Sequence, residues 1–214
     1  MKAVVFDMDG VIFDSEQLSK VCWLEIGEER GIENFSFAFD EIIGLNYQAE
    51  KDVMCSIYGN DFPFDEIHKE AGIRKLQKCV NGHYPLKDGI EELLLFLKSH
   101  NYKVGLASST DEETVRMHIT NAGLLPYFDC LICGNMVENS KPDPEIFLLA
   151  CKTLGVAPEE TYVIEDSYNG IRAAQRAGAF VIMVPDLKKP TEEIIELSDL
   201  ILNDLYEVKN HLKK

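Results

Sequence analysis

Apolar residues recur with two different rhythms along this chain. Between about residues 15 and 83 the spacing is helical: Leu18, Val21, Cys22 and Ile26 fall near i, i+3, i+4 and i+8 of one helix face. A second helix is expected from Tyr47 towards Tyr58 and a third from about Asp65 to Val80, with no convincing strand in the region. The run Asn81-Gly82-His83-Tyr84-Pro85 then breaks the pattern.

From Lys87 onward, helices and short apolar runs alternate. Ile90, Leu93, Leu94 and Leu97 give an amphipathic helix, followed by a strand at Lys103–Ala107. A helix from about Asp111 should stop at Gly123, before a strand near Phe128–Cys133. A helix at Pro144–Leu154 leads to a strand at Tyr162–Ile164, and a helix at Gly170–Ala177 to a strand at Val181–Val184. The tail adds a strand at Leu200–Leu202 and a last helix. Such alternation predicts an α/β fold with a parallel sheet covered on both faces. Val4–Phe6 supplies one more strand, so the helical stretch reads as an insertion after it. The expected architecture is a doubly wound, Rossmann-like core over 1–14 and 84–214, with an all-helical cap subdomain over 15–83.

Composition narrows the class. The 214 residues are 46% apolar, enough for a sizeable core, and carry a net charge of -16. That excess excludes nucleic acid or an anionic membrane as the main partner. No apolar run approaches the ~18 residues of a membrane span, and the N-terminal run is too short for a signal peptide, so the expected location is the cytoplasm. The six cysteines then read as reduced thiols. Cys130 and Cys133 have redox spacing but sit in a strand, where an offset of three sends the thiols to opposite faces. Nothing in the sequence sets an oligomeric state.

The charge makes one stretch conspicuous. VVFDMDGVIFDSE, residues 4 to 16, crowds Asp7, Asp9 and Asp14 behind an apolar strand. Carboxylates gathered in this way require a cation or a shared proton. In an open parallel sheet, ligands bind beyond the carboxyl ends of the strands. That rule brings Asp7 and Asp9 together with Ser108 and Ser109, with Lys141, and with Glu165 and Asp166, from four separate segments. Taken singly, each has a plain explanation: a strand-end turn, a helix N-cap, a surface lysine, acids favouring a helix start. Together, Asp7, Asp9 and Asp166 offer a hard, oxygen-only ligand set suited to Mg²⁺.

Taken in order, VVFDMDGVIFDSE, LASST (106–110), SKPDPEIF (140–147) and VIEDSYNGI (163–171) resemble the four motifs of the haloacid dehalogenase superfamily. The likeness is to its phosphatase and phosphomutase branch with a helical cap. It implies that Asp7 is a nucleophile forming an aspartyl-phosphate and that Asp9 is the general acid and base. It also implies that Mg²⁺ is held by Asp7, the Asp9 carbonyl and Asp166, with Glu165 beside them. Ser108, Ser109 and Lys141 would hold the transferring phosphoryl group of a small phosphorylated metabolite.

An aspartate at position 9 favours ester hydrolysis over dehalogenation, whose halide leaves without a proton. The beginning of the chain also resembles beta-phosphoglucomutase, but a histidine of that enzyme falls at Ser19, and its two cations for a second phosphate fall near Tyr47 and Asp111. A phosphatase acting on a sugar phosphate or similar compact monoester is therefore expected. The alternatives are a sugar phosphomutase and a non-catalytic phospho-ligand-binding protein. His68, His83, Trp23 and the basic face Lys69, Arg74, Lys75 and Lys78 read as packing and solvated charge.

Overall fold

The computed structural model describes residues 2–43, 45 and 47–213. Its strands are β1 (Ala3–Phe6), β2 (Lys103–Ser108), β3 (Cys130–Cys133), β4 (Thr161–Glu165), β5 (Phe180–Met183) and β6 (Leu200–Ile201). They form a parallel sheet in the order β3-β2-β1-β4-β5-β6. β1 is central, with Val4 opposite Val104 on one side and Tyr162 on the other. Helices cover both faces: α5 (Ile90–Ser99), α6 (Glu112–Asn121), α7 (Glu145–Leu154), α8 (Tyr168–Ala177), α9 (Glu192–Leu197) and α10 (Leu205–Leu212). Alternate residues of β1 divide between the two resulting cores, Val4 and Phe6 in one, Ala3 and Val5 in the other. Cys130 packs against one core and Cys133 lies in the other, as an offset of three requires.

Between β1 and α5 the described residues form four helices: α1 (Ser15–Glu29), α2 (Phe35–Ile42), α3 (Tyr47–Tyr58) and α4 (Phe64–Gln77). They bury a core of their own around Trp23, Ile26, Phe39, Met54 and Phe64, which is the helical cap. Leu187, from the loop after β5, packs against this cluster and ties cap to core. The chain enters and leaves the cap at adjacent points. Asp14 N–H donates to Pro85 O at 2.7 Å and Lys87 N–H to Ile12 O at 2.9 Å, on either side of a Phe13–Leu86 bridge.

Several boundaries depart from the sequence-based expectation. α2 and α9 are additional. In FSFAFDEI the aromatics alternate with a period of two, which hides the helical face Phe35, Ala38, Phe39 and Ile42 and leaves Phe37 exposed. α4 stops at Gln77 rather than Val80, because Asn81 and Gly82 take positive φ and close a tight Val80–His83 bridge. β3 begins at Cys130 rather than Phe128, after a 3₁₀ turn at Leu125–Tyr127. β2 and β4 each run one residue further, so Ser108 and Glu165 are strand residues.

Candidate active site

β1, β2 and β4 are neighbours, so their carboxyl ends deliver side chains to one place. Asp7 leaves β1 with its N–H donated to Ile164 O at 3.0 Å. The chain then turns through Gly10, whose φ of +79° suits glycine and where a Cβ would run into the Asp166 carboxylate. Gly170 has a similar role in α8: a Cβ there would overlap the Glu165 carboxylate.

Lys141 organises the buried charge. Its ammonium donates to Asp7 Oδ1 at 2.5 Å, Glu165 Oε1 at 2.8 Å and Ala107 O at 3.1 Å. Burial opposes the charge, but Asp7 and Glu165 outweigh it and hold the Lys141 pKa above its usual value. The other Glu165 oxygen accepts the N–H groups of Asp166 and Ser167, both at 2.8 Å. Glu165 is therefore fully engaged by protein donors.

Asp166 differs. Its carboxylate has no hydrogen-bond or ion-pair partner among the described residues, although atoms of Asp7, Glu165 and Asp166 lie within 4.8 Å of one another. Burial, then the charges of Glu165 and Asp7, push its pKa well above the usual carboxylate range. Burial also raises that of Asp7, against the pull of Lys141. Two carboxylates that resist ionisation side by side, one of them without a donor, form a hard oxygen set of the kind a divalent cation satisfies. The residues present therefore fit a divalent metal.

Asp9 is held by hydroxyls and, among the described residues, has no ion-pair partner. Ser15 Oγ donates to Asp9 Oδ1 at 2.6 Å and Thr110 Oγ1 to Asp9 Oδ2 at 3.2 Å. Ser108 is buried, and its Oγ accepts the Thr110 N–H at 3.1 Å. The helix cap that Ser108 or Ser109 alone would suggest falls instead to Asp111, which accepts the Thr114 N–H. Asp14 makes no capping bond and stands 3.6 Å from Lys87.

These groups share a recess of about 480 Å³ between core and cap. Asp7, Asp9, Ser108, Ser109, Lys141 and Asp166 all line it, while Glu165 stands behind Lys141. Its remaining walls include Glu16, Ile43, Leu45, Arg172, Leu187 and Lys188, none of which the motifs singled out as site residues. Arg172 and Lys188 follow β4 and β5, so the strand-end rule applied to β5 as well would have flagged Lys188. Glu16 lies within the first motif but carries no spacing signal of its own.

A doubly wound sheet with a lysine-balanced acidic site at its carboxyl edge and a helical cap over it defines a capped α/β enzyme. The family model for haloacid dehalogenase-like hydrolases matches residues 1–178, and the chain belongs to that family. The phosphorylated carbohydrates phosphatase of Thermotoga maritima is 32% identical over 83% of this chain and 82% of its own. Beta-phosphoglucomutase of Bacillus subtilis is 30% identical over 86% of this chain and 83% of its own. The crystal structure of CbbY from Rhodobacter sphaeroides in complex with phosphate superposes with a TM-score of 0.73 at 25% identity, covering 97% of this chain and 96% of that one. Among the described residues, no helix is long and apolar enough to cross a membrane.

Proposed function

We propose that this protein is a Mg²⁺-dependent phosphatase that hydrolyses a small phosphate monoester through an aspartyl-phosphate. The observation that carries the reading is the placement of Asp9. Its carboxylate lines the same recess as Asp7 and is held by two hydroxyls with no ion-pair partner among the described residues, so it is free to move a proton.

In this mechanism Asp7 Oδ2, the oxygen not bonded to Lys141, attacks phosphorus in line with the ester oxygen. The P–O bond to the leaving group breaks, and protonated Asp9 gives its proton to that oxygen. Asp9 then accepts a proton from the water that attacks the aspartyl-phosphate, releasing inorganic phosphate and regenerating Asp7. Lys141, the Ser108 hydroxyl and the backbone at Ser109 hold the equatorial oxygens. Asp7, the Asp9 carbonyl and Asp166 would hold Mg²⁺, which neutralises charge where a phosphate dianion meets a carboxylate. Glu165 fixes Lys141 from behind.

Relatives support a sugar phosphate or similar compact metabolite, the class named for the Thermotoga enzyme, and the cap over a 480 Å³ recess limits substrate size. The similarity to beta-phosphoglucomutase keeps phosphoryl transfer between sugar hydroxyls as the second reading. Against it, Tyr47 donates its hydroxyl to Asp65 at 2.6 Å and Asp111 caps α6, so neither position offers a cation to a second phosphate.

The test is inorganic phosphate release from a panel of sugar and metabolite monophosphates, with Mg²⁺, with EDTA, and with Asp7→Asn in Mg²⁺. Release that disappears in EDTA and in the variant supports the proposal. A folded protein that releases nothing across the panel overturns it. Isomerisation of a sugar phosphate only after priming by a bisphosphate would establish the mutase, and phosphate-ester binding without turnover a binding protein.

A further inference from the structure

The described cations lining the recess are Lys141, Arg172 and Lys188, and they are not equally free. Lys141 is committed to Asp7 and Glu165. Arg172 is committed to both Glu193 oxygens at 2.7 Å, and to Asn169 Oδ1 at 3.0 Å. Lys188 makes no hydrogen bond or ion pair among the described residues; its ammonium stands 5.6 Å from the centre of the Tyr168 ring. Of the acids that act on it, Asp40 is already bonded to Lys20 at 2.7 Å, and Glu41 stays beyond ion-pair distance. Burial pulls the Lys188 pKa down against those two acids, the mark of an ammonium partly withdrawn from water without a counter-ion.

The position is also fixed. Lys188 follows Leu187, whose side chain packs with Ile43 and Leu45 against the cap core, and these three residues line the recess with it. The ammonium thus lies at the seam where core and cap meet over the recess. The rest of the lining is rich in carboxylates (Asp7, Asp9, Glu16, Asp166), which would repel any second negative charge. Away from the transferring phosphoryl group, a lining cation without an internal partner offsets that repulsion.

We propose that Lys188 receives a second anionic group, a carboxylate or a phosphate, on the organic part of the substrate, so that the monoesters served best are those negatively charged at a second place. This inference rests on the phosphatase reading. It goes beyond that reading by assigning a specificity residue outside the motifs and a charge to the leaving group.

Three probes of similar size separate the sources: glucose 6-phosphate, 6-phosphogluconate and glucose 1,6-bisphosphate. Phosphate release in Mg²⁺ is measured for the native protein, Lys188→Met and Lys188→Glu. The native protein should favour one or both of the doubly anionic probes over glucose 6-phosphate by about tenfold or more in kcat/KM, as a partly desolvated charge pair allows. Lys188→Met should bring that ratio towards one, chiefly through KM, and Lys188→Glu should invert it. Preference for the phosphogluconate alone identifies a carboxylate site, and for the bisphosphate alone a phosphate site. A native ratio at or below one overturns the proposal. So does a ratio unchanged in Lys188→Met, the result expected if Lys188 only pairs with the cap acids. Should no probe be hydrolysed, that outcome bears on the phosphatase reading alone, which the wider panel decides. Calorimetric binding of the same probes to Asp7→Asn, with and without Lys188→Met, then reads the same ratio without turnover.

Discussion

Ser15, the first residue of the first cap helix, donates its hydroxyl to Asp9 of the core at 2.6 Å. The proposed acid and base is thereby positioned by the cap itself, through a chain step of six residues. Ser15→Ala should lower kcat about tenfold while KM moves little, since a hydrogen bond to a charged group contributes about 1.5–3 kcal/mol. Ser15→Thr should restore the rate, because it keeps the donor. A rise in KM at constant kcat would show that the contact serves binding instead.

Asp166 gives a prediction read without activity. In native protein, Mg²⁺ at a hundredfold excess over its Kd should stabilise by about 2.7 kcal/mol, seen as a rise in Tm. Asp166→Asn should lose most of that rise. In EDTA the same variant should be at least as stable as the native protein, because burial and the charges of Glu165 and Asp7 oppose an ionised Asp166. An undiminished Mg²⁺ response would remove Asp166 from the metal site.

Glu50 on α3 predicts a pH dependence. Burial, then repulsion from Glu16, raises its pKa from 4.5 to about 7, while His68 Nε2 stands 3.6 Å from its carboxylate. The folded state thus holds a proton that the unfolded state releases between those values, and Glu50 lowers stability as pH rises through the window. Glu50→Gln should stabilise by about 1–3 kcal/mol at pH 8. The gain should shrink through the window and vanish well below pH 4.5, where both states are protonated. Thermal melts at the two pH values check the sign.

His118 on α6 is fully buried, stacked on Tyr84 at 4.1 Å, and neither ring nitrogen has a hydrogen-bond partner among the described residues. Burial lowers its pKa from 6.5, with Asp9 pulling up and Lys75 and His83 pulling down. The folded state therefore resists a proton that the unfolded state accepts, and stability is lost as pH falls below about 6.5. His118→Phe keeps the stack, removes the unpaired polar atoms and should gain about 1–3 kcal/mol. The gain should be larger at pH 5 than at pH 8, as denaturant titrations at both would show.

The core was legible because parallel strands are short apolar runs and each motif follows one. The departures have local causes. α2 was masked by the alternation of Phe35, Phe37 and Phe39, and the end of α4 by a turn that begins only at Asn81. Pattern reading brought Asp7, Asp9, Ser108, Ser109, Lys141 and Asp166 to one recess, with Glu165 behind them. It did not find Ser15 and Thr110 on Asp9, because neither a serine six positions on nor a threonine 101 positions on has a periodic signature. For Lys188 the strand-end rule reaches the position but not its role. Its meaning lies in having no hydrogen-bond or ion-pair partner among the described residues, and only the pairing of Arg172 with Glu193 and of Asp40 with Lys20 reveals that.

The paired crossing at Asp14–Pro85 and Lys87–Ile12 has a consequence for how such a protein can diversify. Because the two ends of the insert are already pinned together, the sheet places no demand on the length of what lies between them. Lengthening a closed loop costs only about 0.6 kcal/mol per doubling, so a different helical module could be grafted across the same two strands with little strain. The phosphoryl-handling machinery would be inherited intact, while the ceiling over it was replaced wholesale.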